Sequence, residues 1–251
     1  MTSELLFTGP ELCKFEAHAV VALLKAREIS SSDLIDEALT RIAQTGPLIN
    51  ATPTLCEARA RAVDLSSRDS TPAGWLAGLP ITIKDLNAVA DVRTTFGTKG
   101  LAGFIPQKSD PLVDQLEQRG AVILGKTNTP EFGAGGNTFN DVFGQTRNPW
   151  NTALNPGGSS GGAAASLAAG EIWLSHGSDH GGSLRTPAAY CGIVGLRPSP
   201  GIAGGPGPDA AFIIEGVQGP MARSVRDCAL FLDAMSGFDP QIAMSYPAPE
   251  I

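Results

Sequence analysis

Two serines sit in glycine-rich stretches on either side of an alanine-rich run, and a lysine closes a short β-branched run upstream of both. The stretches are Gly157-Gly158-Ser159-Ser160-Gly161-Gly162 and Gly177-Ser178-Asp179-His180-Gly181-Gly182-Ser183, and the lysine is Lys84, after Leu79-Pro80-Ile81-Thr82-Ile83. Glycines around a serine leave its hydroxyl accessible and let backbone N–H groups converge on a developing negative charge, as an oxyanion hole requires. A serine hydroxyl becomes a useful nucleophile only when a base takes its proton. Lysine can be that base when burial disfavours its ammonium form. Each feature alone has a plainer explanation, since a glycine–serine stretch is also a turn or an anion nest and a strand-end lysine is ordinarily solvated. Two such stretches with one strand-end lysine point instead to acyl chemistry that needs no histidine.

Three other motifs compete. Gly120-Ala121-Val122-Ile123-Leu124-Gly125-Lys126-Thr127 fits G-x-x-x-x-G-K-[ST], but a phosphate loop needs a flexible turn between its glycines, and here those four residues read as the strand itself. Both Gly157–Gly161 and Gly158–Gly162 fit G-x-S-x-G. That nucleophile elbow calls for a histidine well downstream, and the three histidines, His18, His176 and His180, all lie too early. His176 and His180 are spaced as zinc ligands on a helix, yet Gly177, Gly181 and Gly182 argue against a helix there and no third ligand cluster is evident. No metal and no organic cofactor is expected.

The elements that must position these residues follow from periodicity. Leu34, Ile35, Ala38, Leu39 and Ile42 recur at helical spacing, with Ser31 or Ser32 as cap and Gly46 as stop, and Cys56 to Leu65 reads as a second helical stretch. Leu79–Ile83 reads as a strand that delivers Lys84. Asp110–Arg119 reads as a helix and Ala121–Leu124 as a strand covered on both faces. Ala163–Ala169 reads as a small-residue helix closed by Gly170, Ile172–Leu174 as a short strand running into the second loop, and Ser224–Met235 as an amphipathic helix with Val225, Cys228, Ala229, Leu232 and Met235 inward. Helix alternating with buried strand predicts an α/β sheet.

Composition bounds the rest. The 251 residues are 42% hydrophobic and 17% charged, which suits a globular chain with a sizeable core. The net charge of −7 and the lack of a Lys/Arg run argue against nucleic-acid binding. The N-terminus lacks a signal pattern, and the apolar run after Gly162 is broken by Glu171, so no membrane span is expected. Cys13, Cys56, Cys191 and Cys228 are widely spaced, which predicts free thiols and a cytoplasmic location.

The two loops, continued through Leu184-Arg185-Thr186-Pro187-Ala188, resemble the signature of the amidase signature family. Gly78–Asp85 resembles the segment that carries that family's catalytic lysine, and Gly125–Phe132 and Arg147–Trp150 also match its pattern. The separations agree as well, with 75 residues from Lys84 to Ser159 and 24 from Ser159 to Ser183. The resemblance, from about residue 14 to the end of the chain, implies Ser183 as nucleophile, Ser159 as a bridging serine usually held by a cis peptide bond, and Lys84 as base. It implies an oxyanion hole from the N–H groups of His180, Gly181 and Gly182, with Ser183 as a further candidate, and a main-chain substrate contact at Gly133. Asp179, Ser160 and Arg185 are expected to buttress the loops.

The fold implied is α/β, a mixed β-sheet covered by helices on both faces. It forms one amidase signature domain over residues 1–251, with a helical segment to about residue 67 and a catalytic core over about 75–251. Family members are usually much longer, so the resemblance also implies an N-terminal portion whose sheet is incomplete at the C-terminus. The function implied is hydrolysis of a small-molecule carboxamide C–N bond through an acyl-enzyme. The alternatives are the glutaminase component of an aminoacyl-tRNA amidotransferase, which works with a partner, and a truncated, non-catalytic fragment. A homodimer is left open.

Overall fold

A computed structural model describes residues 8–67, 70, 72–204, 213–240 and 242–247. In chain order the elements are α1 (Ala17–Ala26), α2 (Ser31–Ile49), β1 (Thr54–Leu55), α3 (Glu57–Arg61), β2 (Pro80–Lys84), α4 (Pro111–Gln118), β3 (Val122–Thr127), β4 (Phe139–Asn140), β5 (Gly144–Gln145), α5 (Gly161–Ala168), β6 (Leu174–Asp179), α6 (Arg185–Cys191), β7 (Val194–Gly195), β8 (Val217–Ala222) and α7 (Val225–Met235). Six strands form one mixed sheet in the order β1-β3-β2-β6-β8-β7, and β4 and β5 form a separate hairpin. The centre is parallel, β2 pairing with β3 and with β6, and the flanks are antiparallel.

Every residue of β2 and β3 is buried. Successive side chains of a strand point to opposite faces, so both faces of the central sheet are covered. Ile81, Ile83, Ile123, Leu124 and Leu174 carry the apolar core there, joined by Trp173, whose indole donates to Leu12 O at 3.1 Å. The alanine run is α5, buried along nearly its whole length against the sheet. It must be made of small residues because it approaches backbone closely. A Cβ at Gly162 would lie 2.4 Å from Asn128 N and 2.7 Å from Ala51 O.

Several boundaries differ from those read in the sequence. The cap of α2 is Ser30, which forms a capping box with Asp33, and neither Ser31 nor Ser32 serves. Gly46 does not stop α2. The helix continues through Pro47 to Ile49, which is buried, and Asn50 ends it in the left-handed conformation. The stretch from Cys56 is helical only over Glu57–Arg61. The short strand expected at Ile172–Leu174 instead starts at Leu174 and runs to Asp179, so the first part of the expected second loop, Gly177–Asp179, is strand. In α7 the buried set is Asp227, Cys228, Phe231, Ala234 and Met235, while Val225 and Ala229 face solvent. The phase is set by Asp227, whose carboxylate accepts from the N–H groups of Ala17 and His18 and so caps α1. Among the described residues no helix is long and apolar enough to cross a membrane.

Candidate active site

Lys84 is the last residue of β2, and β6, its parallel neighbour, ends at Asp179, so the site lies at the carboxyl ends of adjacent parallel strands, where open α/β sheets bind ligands. The Lys84 side chain is wholly buried. Its Nζ lies 2.7 Å from Ser159 Oγ, 2.9 Å from Ser160 Oγ and 3.0 Å from Ser178 Oγ. Among the described residues no carboxylate touches it. Burial therefore dominates and pushes its pKa down to about 7, opposed only by the more distant charge of Asp179. The Lys84 N–H donates to His176 Nδ1 at 3.4 Å, and His176 Nε2 lies 2.6 Å from Gln218 Oε1. Burial drives the His176 pKa down to about 3, so this ring is neutral and structural.

Ser159 follows a cis peptide bond to Gly158 just before α5. No side chain fits at Gly158, where a Cβ would meet Asn137 N at 2.9 Å. Ser160 closes the gap between the two serine loops. Its N–H donates to Ser183 O at 3.3 Å, its Oγ donates to Ser178 O at 3.2 Å, and it accepts from the Ser178 N–H at 3.3 Å. Ser183 is half-buried in the turn before α6. Among the described residues no hydrogen bond engages Ser183 Oγ, so the link from Ser183 to Ser159 is open in this conformation.

Asp179 organises the turn that carries Ser183. Its carboxylate accepts from the N–H groups of Gly182 and Leu184 at 2.8 and 3.1 Å, from Arg185 through two bonds at 3.0 and 3.1 Å, and from Arg197 Nη1 at 3.2 Å. Burial alone pushes this carboxyl upward. The Arg185 pair and the two backbone donors outweigh it and hold the group well below the usual carboxylate range. The expected buttressing by Asp179, Ser160 and Arg185 is therefore observed. The Gly182 N–H, expected to face an oxyanion, is committed to Asp179 instead. Those of His180, Gly181 and Ser183 have no acceptor among the described residues.

Gly133 also reaches the site, from the loop after β3. It has φ +71°, and a Cβ placed on it would lie 3.5 Å from Ser159 Oγ. A 420 Å³ hollow borders the same loop, lined by Pro130, Glu131, Ala134, Gly135, Gly136 and Asn137 among others. A larger hollow of 660 Å³, between Pro72, Pro111 and Phe238, is remote from these groups. Nothing in the sequence singles out Ser178 and His176 for these contacts while Gly177–Asp179 reads as loop. Reading that stretch as strand would find Ser178, since its hydroxyl lies at the strand end beside Lys84.

The competing motifs find no support in this geometry. Gly125 and Lys126 are internal to β3, not on a phosphate loop. His180 is exposed, and His176 is buried on Gln218. Among the described residues the one group with metal-ligand spacing is Glu16, His18 and Asp227, where Asp227 is occupied as the cap of α1. The four cysteines are free.

The amidase family model matches residues 33–250. In Dehalococcoides mccartyi, the A component of glutamyl-tRNA(Gln) amidotransferase is 42% identical over 228 residues, which is 90% of this chain and 47% of that protein. Among solved structures, 6-aminohexanoate cyclic dimer hydrolase in complex with substrate matches with a TM-score of 0.84 at 34% identity, covering 95% of this chain and 49% of that one. A bacterial aryl acylamidase of the amidase signature family matches with a TM-score of 0.86 at 34% identity, covering 93% and 50%. The chain spans about half the length of the relatives it matches. A match running from α2 to the last residues, on a fold shared with solved amidases, places this chain in the amidase signature family.

Proposed function

We propose that this chain carries the catalytic half-site of an amidase that hydrolyses a carboxamide C–N bond through an acyl-enzyme. The observation that carries the reading is the buried Lys84 amine within 2.7 Å of Ser159 Oγ, with hydroxyls and, among the described residues, no carboxylate against it. Neutral Lys84 draws a proton from Ser159, Ser159 draws one from Ser183, and Ser183 Oγ attacks the amide carbonyl. Closing the relay requires Ser183 Oγ to swing within hydrogen-bond reach of Ser159 Oγ as substrate binds. The unengaged N–H groups of His180, Gly181 and Ser183 receive the oxyanion. The relay then returns the proton to the leaving ammonia or amine, and water attacks the Ser183 ester. Gly133 contributes a main-chain contact to the substrate. The enzyme is a cytoplasmic one with free thiols, and needs neither metal nor organic cofactor.

A second reading, a glutaminase that passes ammonia to a partner protein, is favoured by the name of the sequence relative at 42% identity. Glutamine hydrolysis that appears only on adding partner proteins would select it over the free-standing amidase. The test of the common core is intact mass after treatment with a fluorophosphonate. One adduct, absent from Ser183→Ala, is expected. A folded chain that takes no adduct would overturn the reading for these 251 residues and favour a non-catalytic fragment.

A further inference from the structure

A second buried lysine lies one strand away from the first. Lys126 of β3 pairs with Ile83, so its side chain shares Ile83's face of the sheet, and Lys84, the next residue of β2, projects from the other face. Both side chains are fully buried, but their surroundings differ in kind. Lys126 Nζ meets Asp85 Oδ1 at 3.0 Å, Asn87 O at 2.8 Å and Thr94 Oγ1 at 2.8 Å. The carboxylate and the carbonyl can only accept. The Thr94 hydroxyl proton is given to Val92 O at 3.1 Å, so Thr94 Oγ1 must accept too. Three acceptors need three protons, and only the ammonium form of Lys126 supplies them. The nearest neighbours of Lys84 Nζ are three hydroxyls, with the Ser178 carbonyl further off at 3.5 Å. The Ser160 proton goes to Ser178 O, but the Ser159 and Ser178 hydroxyls remain able to donate, and among the described residues no carboxylate meets the amine.

The ammonium also gathers the chain that leaves Lys84. Asp85, bound to Lys126, accepts from Thr95 N at 3.0 Å and from Thr95 Oγ1 at 2.6 Å. The next residue, Phe96, accepts from the Phe132 N–H at 2.7 Å, beside Gly133. One buried ion pair thus ties the base's strand end to the loop that approaches Ser159. We propose that Lys126 is a positioning residue for the Lys84 base, holding the segment after Lys84 in place and, paired with Asp85, balancing the charge behind the base so that Lys84 can stand neutral. This rests on the amidase reading above.

The charged groups around the two lysines define the sign of the effect. Lys84 faces neutral His176 on β6 and, further off, Asp179, which is matched by Arg185 and Arg197. Lys126 faces Asp85, with Asp110 beyond it, bound to Asn87 Nδ2 and the Ala88 N–H. Burial pushes Lys126 down and Asp85 opposes that. Removing the Lys126 charge exposes Lys84 to unbalanced Asp85, which favours its ammonium form. Removing the Asp85 charge leaves Lys126 unbalanced, which disfavours it.

The experiment is the rate of Ser183 labelling by a fluorophosphonate across about pH 5–9 in the full chain, followed by intact mass, for the parent, Lys126→Met, Asp85→Asn and the double variant. Unit charges on the order of 10 Å apart at an effective dielectric of about 20 displace a titration by roughly one pH unit. The acid limb is expected to move up by that amount in Lys126→Met, down in Asp85→Asn, and back to the parent position in the double variant. A purely structural role lowers rates without opposite displacements. If Lys126→Met does not fold, the downward displacement in Asp85→Asn decides. Single variants that shift the limb the same way, or not at all, would overturn the proposal. A parent that takes no label would overturn the amidase reading on which it rests.

Discussion

Replacing Lys84 by methionine tests the feature on which the chemistry turns, the desolvated amine, without needing a substrate. Methionine has similar length and no charge, and it fills the same space. The Lys84 pKa falls from 10.5 in the unfolded chain to about 7 in the folded one, mainly through burial. That shift corresponds to about 5 kcal/mol of differential cost for the ammonium form. The unfolded chain binds the extra proton between those two values, so this group's contribution to stability is present above 10.5 and is lost as pH falls towards 7. Between about pH 7 and pH 9 the parent should therefore gain about 2 kcal/mol from Lys84 alone, by the same linkage. The variant should lack that gain. Losing the contacts to Ser159, Ser160 and Ser178 shifts the variant at every pH alike, so the difference between the two pH slopes isolates the titration. Urea unfolding at about pH 7, 8 and 9 measures it. Parallel slopes would refute a buried, titrating Lys84, and a labelling reaction that survived in the variant would remove it from the role of base.

Other perturbations probe the frame. Glu171 is buried, accepts from Thr45 and Thr52 hydroxyls, and is pushed by burial up to about 7. Its contribution is full below about 4.5 and is lost as pH rises through 7. Glu171→Gln should thus abolish a loss of about 3 kcal/mol between about pH 4.5 and 8, read by denaturant unfolding. Gly177→Ala would set a Cβ 2.7 Å from Leu184 Cδ2 and 2.9 Å from Ser160 Oγ. We expect about 1–3 kcal/mol of destabilisation and a fall in Ser183 labelling, since both contacts belong to the serine loops. Ser183→Ala should leave stability within about 0.5 kcal/mol, because among the described residues no hydrogen bond engages its Oγ, while it abolishes the adduct.

Much of this site is legible where local chemistry and tertiary packing ask for the same thing. Ile81-Thr82-Ile83 reads as strand because β-branched residues suit it, and β2 is buried on both faces. Lys84 follows at its end. The alanine run reads as helix, and its small side chains are what the close approach at Gly161 and Gly162 demands. The elements that mislead are those where packing decides against local preference. Gly177 looks like loop, yet it sits in β6 because Leu184 and Ser160 leave no room for a side chain. Val225 and Ala229 look like core residues of α7, yet a buried acid, Asp227, rotates the helix towards the start of α1, a contact 210 residues distant. β8 carries Gly219 and Pro220, which hide it from any propensity argument. The Gly182 N–H looks like an oxyanion donor, although a neighbouring carboxylate claims it.

The same contrast bears on the role of base proposed for Lys84. An amine is favoured in its neutral form when it is buried with no carboxylate against it. Around Lys84 Nζ the closest groups are Ser159, Ser160 and Ser178 hydroxyls, which lie on backbone turns that glycines bring within reach. The carboxylate whose charge acts on Lys84, Asp179, is bound by Arg185, Arg197 and two backbone donors. The other carboxylate close in sequence, Asp85, points to the opposite face and is matched by Lys126. Glycine-rich loops, a buried ion pair and an arginine-bound aspartate are three devices in different parts of the chain. Each removes one way in which Lys84 could be held as an ammonium ion, which is what the role of base proposed for it requires.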